Sequence, residues 1–461
     1  MNHFSKYRWV HRRYIFSDYA HSFMSAPWAG GLVLLISVVI AMVLANLPAT
    51  APYYQHLLNT DLALKISSPG GLIDWTFPKG MTVEKLINDG MMVIFFFTVG
   101  LEIKREVVCG QLSSLKRAIL PVVAAVGGMV VPALIFTIFN YGTPAANGWG
   151  IPTATDIAFA VGILSMMGNR VPASLKIFLM ALAISDDLGA IIVIALFYGG
   201  SIEWGCLMLA LLVMAGVYLI KQMGETRVMY YLLPAFVVWG LFYYSGIHST
   251  LSGVAMAMLI PMKPRYGKAY FYRKGRQYGD AIMATQDSEG FPNAQHRVYL
   301  NQMGDLSIRA VGLSYRLERL LNPYVTFLIM PIFALANAGV VIASPEYFNL
   351  FAVEPGMGAV GLGVFCGLVF GKPIGIFLTS WLAVKSGLAT KPDKASWVML
   401  FAVACLGGIG FTMSIFVDTL AYPAGSPLID RGKIAILMGS TAAAVIGSIL
   451  IVLLSLKKKK Q

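Results

Sequence analysis

The sequence predicts an all-α polytopic membrane protein with twelve transmembrane helices, and three observations carry that expectation. Of its 461 residues, 57% are hydrophobic and 12% charged, about half the charged share of a soluble globular chain. Apolar runs long enough to cross a hydrocarbon core about 30 Å thick, roughly 20 helical residues each, recur along nearly the whole chain. The 35 Lys and Arg, set against 22 Asp and Glu for a net charge of +13, are sorted between alternate connections as the positive-inside rule requires.

The runs lie at residues 28–47, 86–103, 118–139, 150–169, 174–198, 203–220, 228–244, 247–262, 323–343, 357–384, 396–421 and 432–455. Twelve spans place both termini on one side, and the basic residues make that side the cytoplasm. The N-terminal segment 1–27 (Lys6, Arg8, Arg12, Arg13), the connections around 104–117, 170–176, 221–227 and 385–395, the loop 263–322 and the tail 456–461 together hold 29 of the 35 basic residues. The opposite face holds Lys65, Lys79, Lys85, Arg431 and Lys433, and the remaining cation, Lys372, lies inside the tenth span. The first apolar run has no small-residue cleavage site, so it reads as a retained span rather than a removed signal peptide. Membrane sorting explains the basic excess, and with no nucleic-acid signature present the expected partner is the bilayer. Cys109, Cys206, Cys366 and Cys405 are dispersed without CxxC spacing and read as reduced packing residues, with neither a metal site nor a disulfide framework.

Spans 1–8 occupy residues 28–262 and spans 9–12 residues 323–455. Between the first two spans an outer segment, 48–84, contains a β-hairpin near 60–78, in which 62–66 and 72–77 flank Ser67-Ser68-Pro69-Gly70-Gly71. The inner loop 263–322 is basic and aromatic without a long apolar run. Its end, 308–321, has helical periodicity (Ile308, Val311, Leu313, Leu317, Leu320, Leu321) and is expected at the interface before the ninth span.

Charges at the bilayer centre cost at least about 2.5–3.5 kcal/mol each, so they mark function by default. Four stand out in span interiors: Asp156, Asp186, Asp187 and Lys372. A fixed Asp–Lys pair locking two helices accounts for two of them and leaves two acids. If all are ionised, three carboxylates and one ammonium carry a formal charge of −2, and such a site attracts cations. Protons and a sodium ion neutralise the same oxygens, so each displaces the other. That competition makes an exchanger if the site opens to one side at a time.

Asp186 and Asp187 stand about 100° apart around a helix, among small residues Ala181, Ala183, Ser185, Gly189 and Ala190 that permit close helix approach. Pro152-Thr153-Ala154-Thr155-Asp156 in the fourth span and Gly407-Gly408-Ile409-Gly410-Phe411-Thr412 in the eleventh read as interrupted helices. Close packing is the alternative account of the glycines. Broken helices at corresponding positions of two halves point to a midplane site between inverted repeats. Their paired positive ends would be compensated by Asp156 and their paired negative ends by Lys372.

At these residues the sequence resembles the bacterial NhaA-type sodium/proton antiporter family. The resemblance rests on 100–106 (GLEIKRE), 154–162 (ATDIAFAVG), 179–197 (LMALAISDDLGAIIVIALF), 245–253 (SGIHSTLSG), 333–339 (FALANAG), 371–375 (GKPIG) and 407–416 (GGIGFTMSIF), and it extends from about residue 25 to 455. It implies inverted-topology repeats of spans 3–5 and 10–12, with spans 4 and 11 broken and crossing. It gives Asp186 and Asp187 the binding of Na+ and the carrying of protons, with Thr155 and Asp156 beside the ion and Lys372 as the partner of Asp186. It further implies electrogenic exchange of Na+ or Li+ for a larger number of H+, no cofactor, and service in cytoplasmic pH and sodium homeostasis. A homodimer through the outer hairpin in the bacterial inner membrane follows from the same likeness. Glu102, Arg105, Glu106, His248 and Glu318 fit the family's pH-response pattern. This chain departs from that pattern in its longer inner loop and in Arg319 and Asn322, which stand where the best-known members carry histidines.

Two other classes compete with antiport. A cation channel or other cation-coupled transporter would use rings of acids or a different coupling. An intramembrane aspartyl protease needs acids facing each other from different helices, and its GxGD-type signature is missing.

Overall fold

The apolar runs become helix almost throughout the computed structural model, which describes residues 23–24, 26–62, 64–67, 74–77, 81–264, 266–284, 293–342, 349–350, 358–393 and 395–459. The expected basic N-terminal cluster from Lys6 to Arg13, residues 68–71 of the expected turn, residues 72–73 of the expected second strand and the last tail residues lie outside them.

The chain opens with α1 (Ala29–Asn46), α2 (Ala51–Leu58) and a two-stranded hairpin, β1 (Leu64–Ser67) and β2 (Asp74–Phe77). The strands pair antiparallel, with Leu64 opposite Phe77 and Ser67 opposite Asp74. The elements that follow are α3 (Val83–Val108), α4 (Leu115–Asn140), a 3-10 helix (Pro144–Thr153), α5 (Ile157–Met166), α6 (Ala173–Phe197) and α7 (Trp204–Gln222). Next come α8 (Met229–Ser245), α9 (Thr250–Leu259), α10 (Lys268–Ala284), α11 (Ala294–Ala310), α12 (Leu313–Asn337) and α13 (Val360–Lys385). The pair α14 (Trp397–Gly407) and α15 (Phe411–Ala421) and the long α16 (Pro427–Lys459) complete the chain.

Among the described residues, nine helical stretches are long and apolar enough to cross a membrane, and ten if α14 and α15, bent by 48° at their junction, form one span. The protein is therefore a multi-pass membrane protein. Two of the twelve expected runs fall short of that length: α8 has 17 residues and α9 has 10. At 1.5 Å per residue they extend about 25 and 15 Å. In α9 the residues Thr250, Ser252, Gly253, Met256 and Ala257 are buried, so this short helix leans on protein.

The described part of the loop 263–322 holds more helix than its composition foretold. Residues 268–284 and 294–310 form α10 and α11, which pack on each other and bury none of their residues. Few apolar residues are needed for such a pair, which is why no apolar run announced it. The periodic stretch 308–321 divides: Ile308 ends up in α11, Val311 in the break, and Leu313 begins a helix that runs through Pro323 and a wide turn at Val325–Ile329 to Asn337.

The chain forms two compact units, one of residues 1–92, 106–199 and 323–461 and the other of residues 93–105 and 200–322. In the first, α13 packs against α4, α4 against α6, and α16 against α14 and the first part of α13. Gly375 of α13 and Gly127 of α4 permit this approach: a Cβ on Gly375 would lie 2.2 Å from the Gly127 carbonyl oxygen. The second unit has its own apolar core, built on Leu101, Tyr231, Val238, Phe242, Met256 and Leu313.

Candidate functional site

The fourth span breaks where the sequence offers Pro and short polar residues. After the 3-10 helix ends at Thr153, Ala154 and Asp156 adopt extended backbone before α5 begins. The expected eleventh span breaks at 408–410, between α14 and α15. The two interruptions meet within the first unit: the Asp156 N–H donates to the Ile409 carbonyl at 2.7 Å, and Thr155 Oγ1 donates to the Gly407 carbonyl at 2.9 Å. Ser414 Oγ adds a bond to the Ile151 carbonyl at 2.8 Å. Phe411, at the start of α15, has φ +26°, a strained value for a residue with a side chain. Its ring stacks on Phe159, and its N–H and that of Gly410 donate to Ser440 Oγ of α16.

Helix ends buried in such a place need charged or polar partners. Asp156 Oδ1 accepts the Phe159 N–H at 3.1 Å and so caps α5. Its Oδ2 accepts the Thr412 hydroxyl at 2.6 Å and the Thr412 N–H at 3.3 Å. One carboxylate thus faces the N-terminal ends of both α5 and α15. Lys372 does the reverse. Its Nζ donates to the Thr153 carbonyl, at the C-terminal end of the 3-10 helix, and to Asp186 Oδ2 at 2.5 Å. A wide helical turn, Gly367–Gly371, directly precedes Lys372 in α13, a deviation common at functional positions.

Asp186 lies on α6, and the same Oδ2 also receives Thr155 Oγ1 at 2.6 Å. The Thr155 hydroxyl has a single proton and two acceptors, Asp186 and the Gly407 carbonyl, so it serves one at a time. Asp186 Oδ1 is buried with no hydrogen bond among the described residues. Asp187 follows it on the same helix. Every one of these groups is sealed off: Thr155 is 0% exposed, Asp156 1%, Asp186 1%, Asp187 2%, Lys372 0% and Thr412 0%. Carboxylate and hydroxyl oxygens in this arrangement are donors for a hard cation.

The structure thus brings Thr155, Asp186 and Lys372 into one hydrogen-bonded group, with Asp156 bonded to Thr412 at the adjoining meeting of the two breaks. Sequence reasoning gave Thr412 no role. The signal was present in a hydroxyl two residues beyond a Gly-rich break. The residues expected to give a pH response divide between the two units. Within the second unit Arg105 pairs with Glu318 at 3.0 Å and Glu102 at 3.7 Å. Lys104, also passed over, donates to the Ala257, Met258 and Ile260 carbonyls at the end of α9, where a cation is favoured. Glu106, in the first unit, accepts the Gln111 N–H at 2.9 Å, and His248 is half-buried in the turn between α8 and α9.

Residues 21–451 match the family Na+/H+ antiporter 1. The chain belongs to that family. It is 40% identical over 429 residues, 93% of its length and 96% of the relative's, to Na(+)/H(+) antiporter NhaA of Escherichia coli strain UTI89. It has the same identity and coverage with the proteins of that name from Shigella dysenteriae serotype 1 strain Sd197 and Shigella boydii serotype 4 strain Sb227. Membership places it among transporters, not enzymes, and accords with its many apolar helices.

Proposed function

We propose that this protein exchanges Na+ or Li+ for a larger number of H+, extruding sodium from the cytoplasm, with the ion and the protons competing for Asp186 and Asp187. The observation that carries this reading is the convergence of Lys372 and Thr155 on one oxygen of a fully buried Asp186 beside two interrupted helices. In the state described, Lys372 supplies the positive charge that Asp186 needs in a water-free setting. A sodium ion entering against Asp186, Asp187 and Thr155 replaces that charge and releases Lys372. On the other side of the membrane the ion leaves and one proton binds each carboxylate; once both protons are released to the cytoplasm, Asp186 is ionised again and the ammonium returns to it. More than one proton per ion makes the exchange electrogenic. Asp156 and Lys372 keep the opposed helix ends neutral while the site changes access.

The same reading takes α8 and α9 as spans seven and eight, for twelve in all, with both termini in the cytoplasm. It treats spans 3–5 and 10–12 as inverted repeats, each with a broken middle member. It places the protein in the bacterial inner membrane, as a homodimer through the β1–β2 hairpin, and gives the Glu102, Arg105 and Glu318 group, with Glu106 and His248, the pH response. It supports a role in cytoplasmic pH and sodium homeostasis.

Competition has a direct signature in equilibrium binding. Na+ or Li+ added to purified protein in weak buffer should release protons, K+ should not, and Asp186→Asn or Asp187→Asn should lose the release. Sodium binding without proton release, or release unchanged in both variants, contradicts the reading.

A further inference from the structure

A fourth buried acid lies apart from Asp156, Asp186 and Asp187. Asp418 is in α15, seven residues beyond Phe411 and so about 10 Å along the helix from the break. Its side chain is 0% exposed, and neither carboxylate oxygen has a hydrogen-bond partner among the described residues. It packs directly on α16, where a Cβ on Gly432 would lie 2.2 Å from Asp418 Oδ1.

Its surroundings explain the missing bonds. Tyr198 and Tyr422 are within electrostatic reach, but both hydroxyl protons are committed: Tyr198 donates to the Asn147 carbonyl at 2.8 Å and Tyr422 to the Ala145 carbonyl at 2.9 Å. Lys433, only 7% exposed, and Asp430 act on Asp418 through their charges, without an ion pair to it. The 3-10 helix and the Met330–Asn337 part of α12, also packed against α15, carry no titratable side chain. In such a place an ionised carboxylate with no donor is far costlier to bury than the neutral acid.

We propose that Asp418 is a further proton-carrying carboxylate of this antiporter, beyond Asp186 and Asp187, protonated in the conformation described and deprotonated when water reaches it, with Lys433 as the counter-charge of the ionised form. The step is a simple dissociation. One proton leaves a carboxyl oxygen for water, and the local charge of Asp418, Asp430 and Lys433 goes from 0 to −1. In the orientation proposed above Asp418 lies in the outer half, where incoming protons enter. The proposal rests on the antiport reading for its role in exchange but not for its chemistry.

Infrared spectra of the purified full-length protein, recorded from acid to alkaline pH, test the chemistry. A protonated-carboxyl band should vanish with rising pH, be missing in Asp418→Asn and remain in Asp187→Asn. Lys433→Met should move its loss to higher pH. Exchange in proteoliposomes tests the role: Asp418→Asn should shift the half-maximal pH by about one unit or more, and Asp418→Glu should restore the original profile. An Asp418→Asn protein that keeps both band and profile overturns the proposal. So does an Asp418→Leu protein that exchanges with the wild-type profile, since Asp418 is then only packing. If Asp418→Asn does not fold, the unaltered chain with Lys433→Met decides, and an unmoved band overturns the proposal. Wild-type protein that shows the band but no exchange refutes the antiport reading instead.

Discussion

At the scale of single residues, Asp186 Oδ2 is the most constrained atom of the site, because a cation and a hydroxyl both reach it in a place closed to water. Removing one member of a buried pair exposes the cost of the other, typically about 3–5 kcal/mol. Lys372→Ala should therefore lower thermal stability markedly. The substitution should also move the pH profile of exchange. Melting curves together with exchange measured across pH would show this, and a stability deficit with an unmoved profile would assign Lys372 to packing alone. Thr412 gives a milder test. Hydrogen bonds to charged groups are worth about 1.5–3 kcal/mol, so Thr412→Val should destabilise the crossing by that order while Thr412→Ser stays near wild type. Equal stability of the two variants would remove Thr412 from the site.

At the scale of elements, the site depends on how closely α13 approaches α4, since α13 carries Lys372. Gly375→Ala would push a methyl group into the Gly127 backbone, and overpacking of this kind costs about 1–3 kcal/mol. It should reduce both stability and exchange. Gly205→Ala, in α7 where no atom lies within 4 Å of the new Cβ, should instead be neutral or stabilising by up to about 1 kcal/mol. A reversed order would mean that helix approach does not limit the fold. Near the outer segment, α2 is tied to α12 by Tyr54, whose hydroxyl donates to the Leu335 carbonyl at 2.6 Å. Burial, with help from the charge of Glu84, raises this phenol from its ordinary 10.0 to about 12. The unfolded chain would ionise near pH 10, so the bond's contribution is complete below pH 10 and is lost as pH rises through about 12. Wild-type stability should fall more steeply than that of Tyr54→Phe across this interval, and parallel curves would show the phenol is not so held.

At the scale of the whole molecule, hydropathy and charge sorting made most spans legible, because a bilayer demands long apolar runs and penalises translocated cations. The break residues were legible too, since Pro152 and the glycines at 407–410 weaken a helix, although Pro121, Gly127, Gly128 and Pro132 sit inside the unbroken α4. Other features needed the fold. α10 and α11 escaped notice because a helix pair outside an apolar core needs no apolar run. Asp418 escaped although it carries the same signal as Asp156, an acid in an apolar span, because its place near the span end resembled a solvated terminus. That Thr155 would face both Gly407 and Asp186 depends on which helices cross, which a one-dimensional pattern does not contain. The central proposal is that Na+ and H+ exchange through Asp186 and Asp187. Everted membrane vesicles carrying this protein, with an imposed proton gradient, test it most directly. Adding Na+ or Li+ should dissipate the gradient and adding K+ should not, and Asp187→Asn vesicles should be silent to all three. Dissipation that persists in Asp187→Asn, or that K+ evokes equally, would contradict the account.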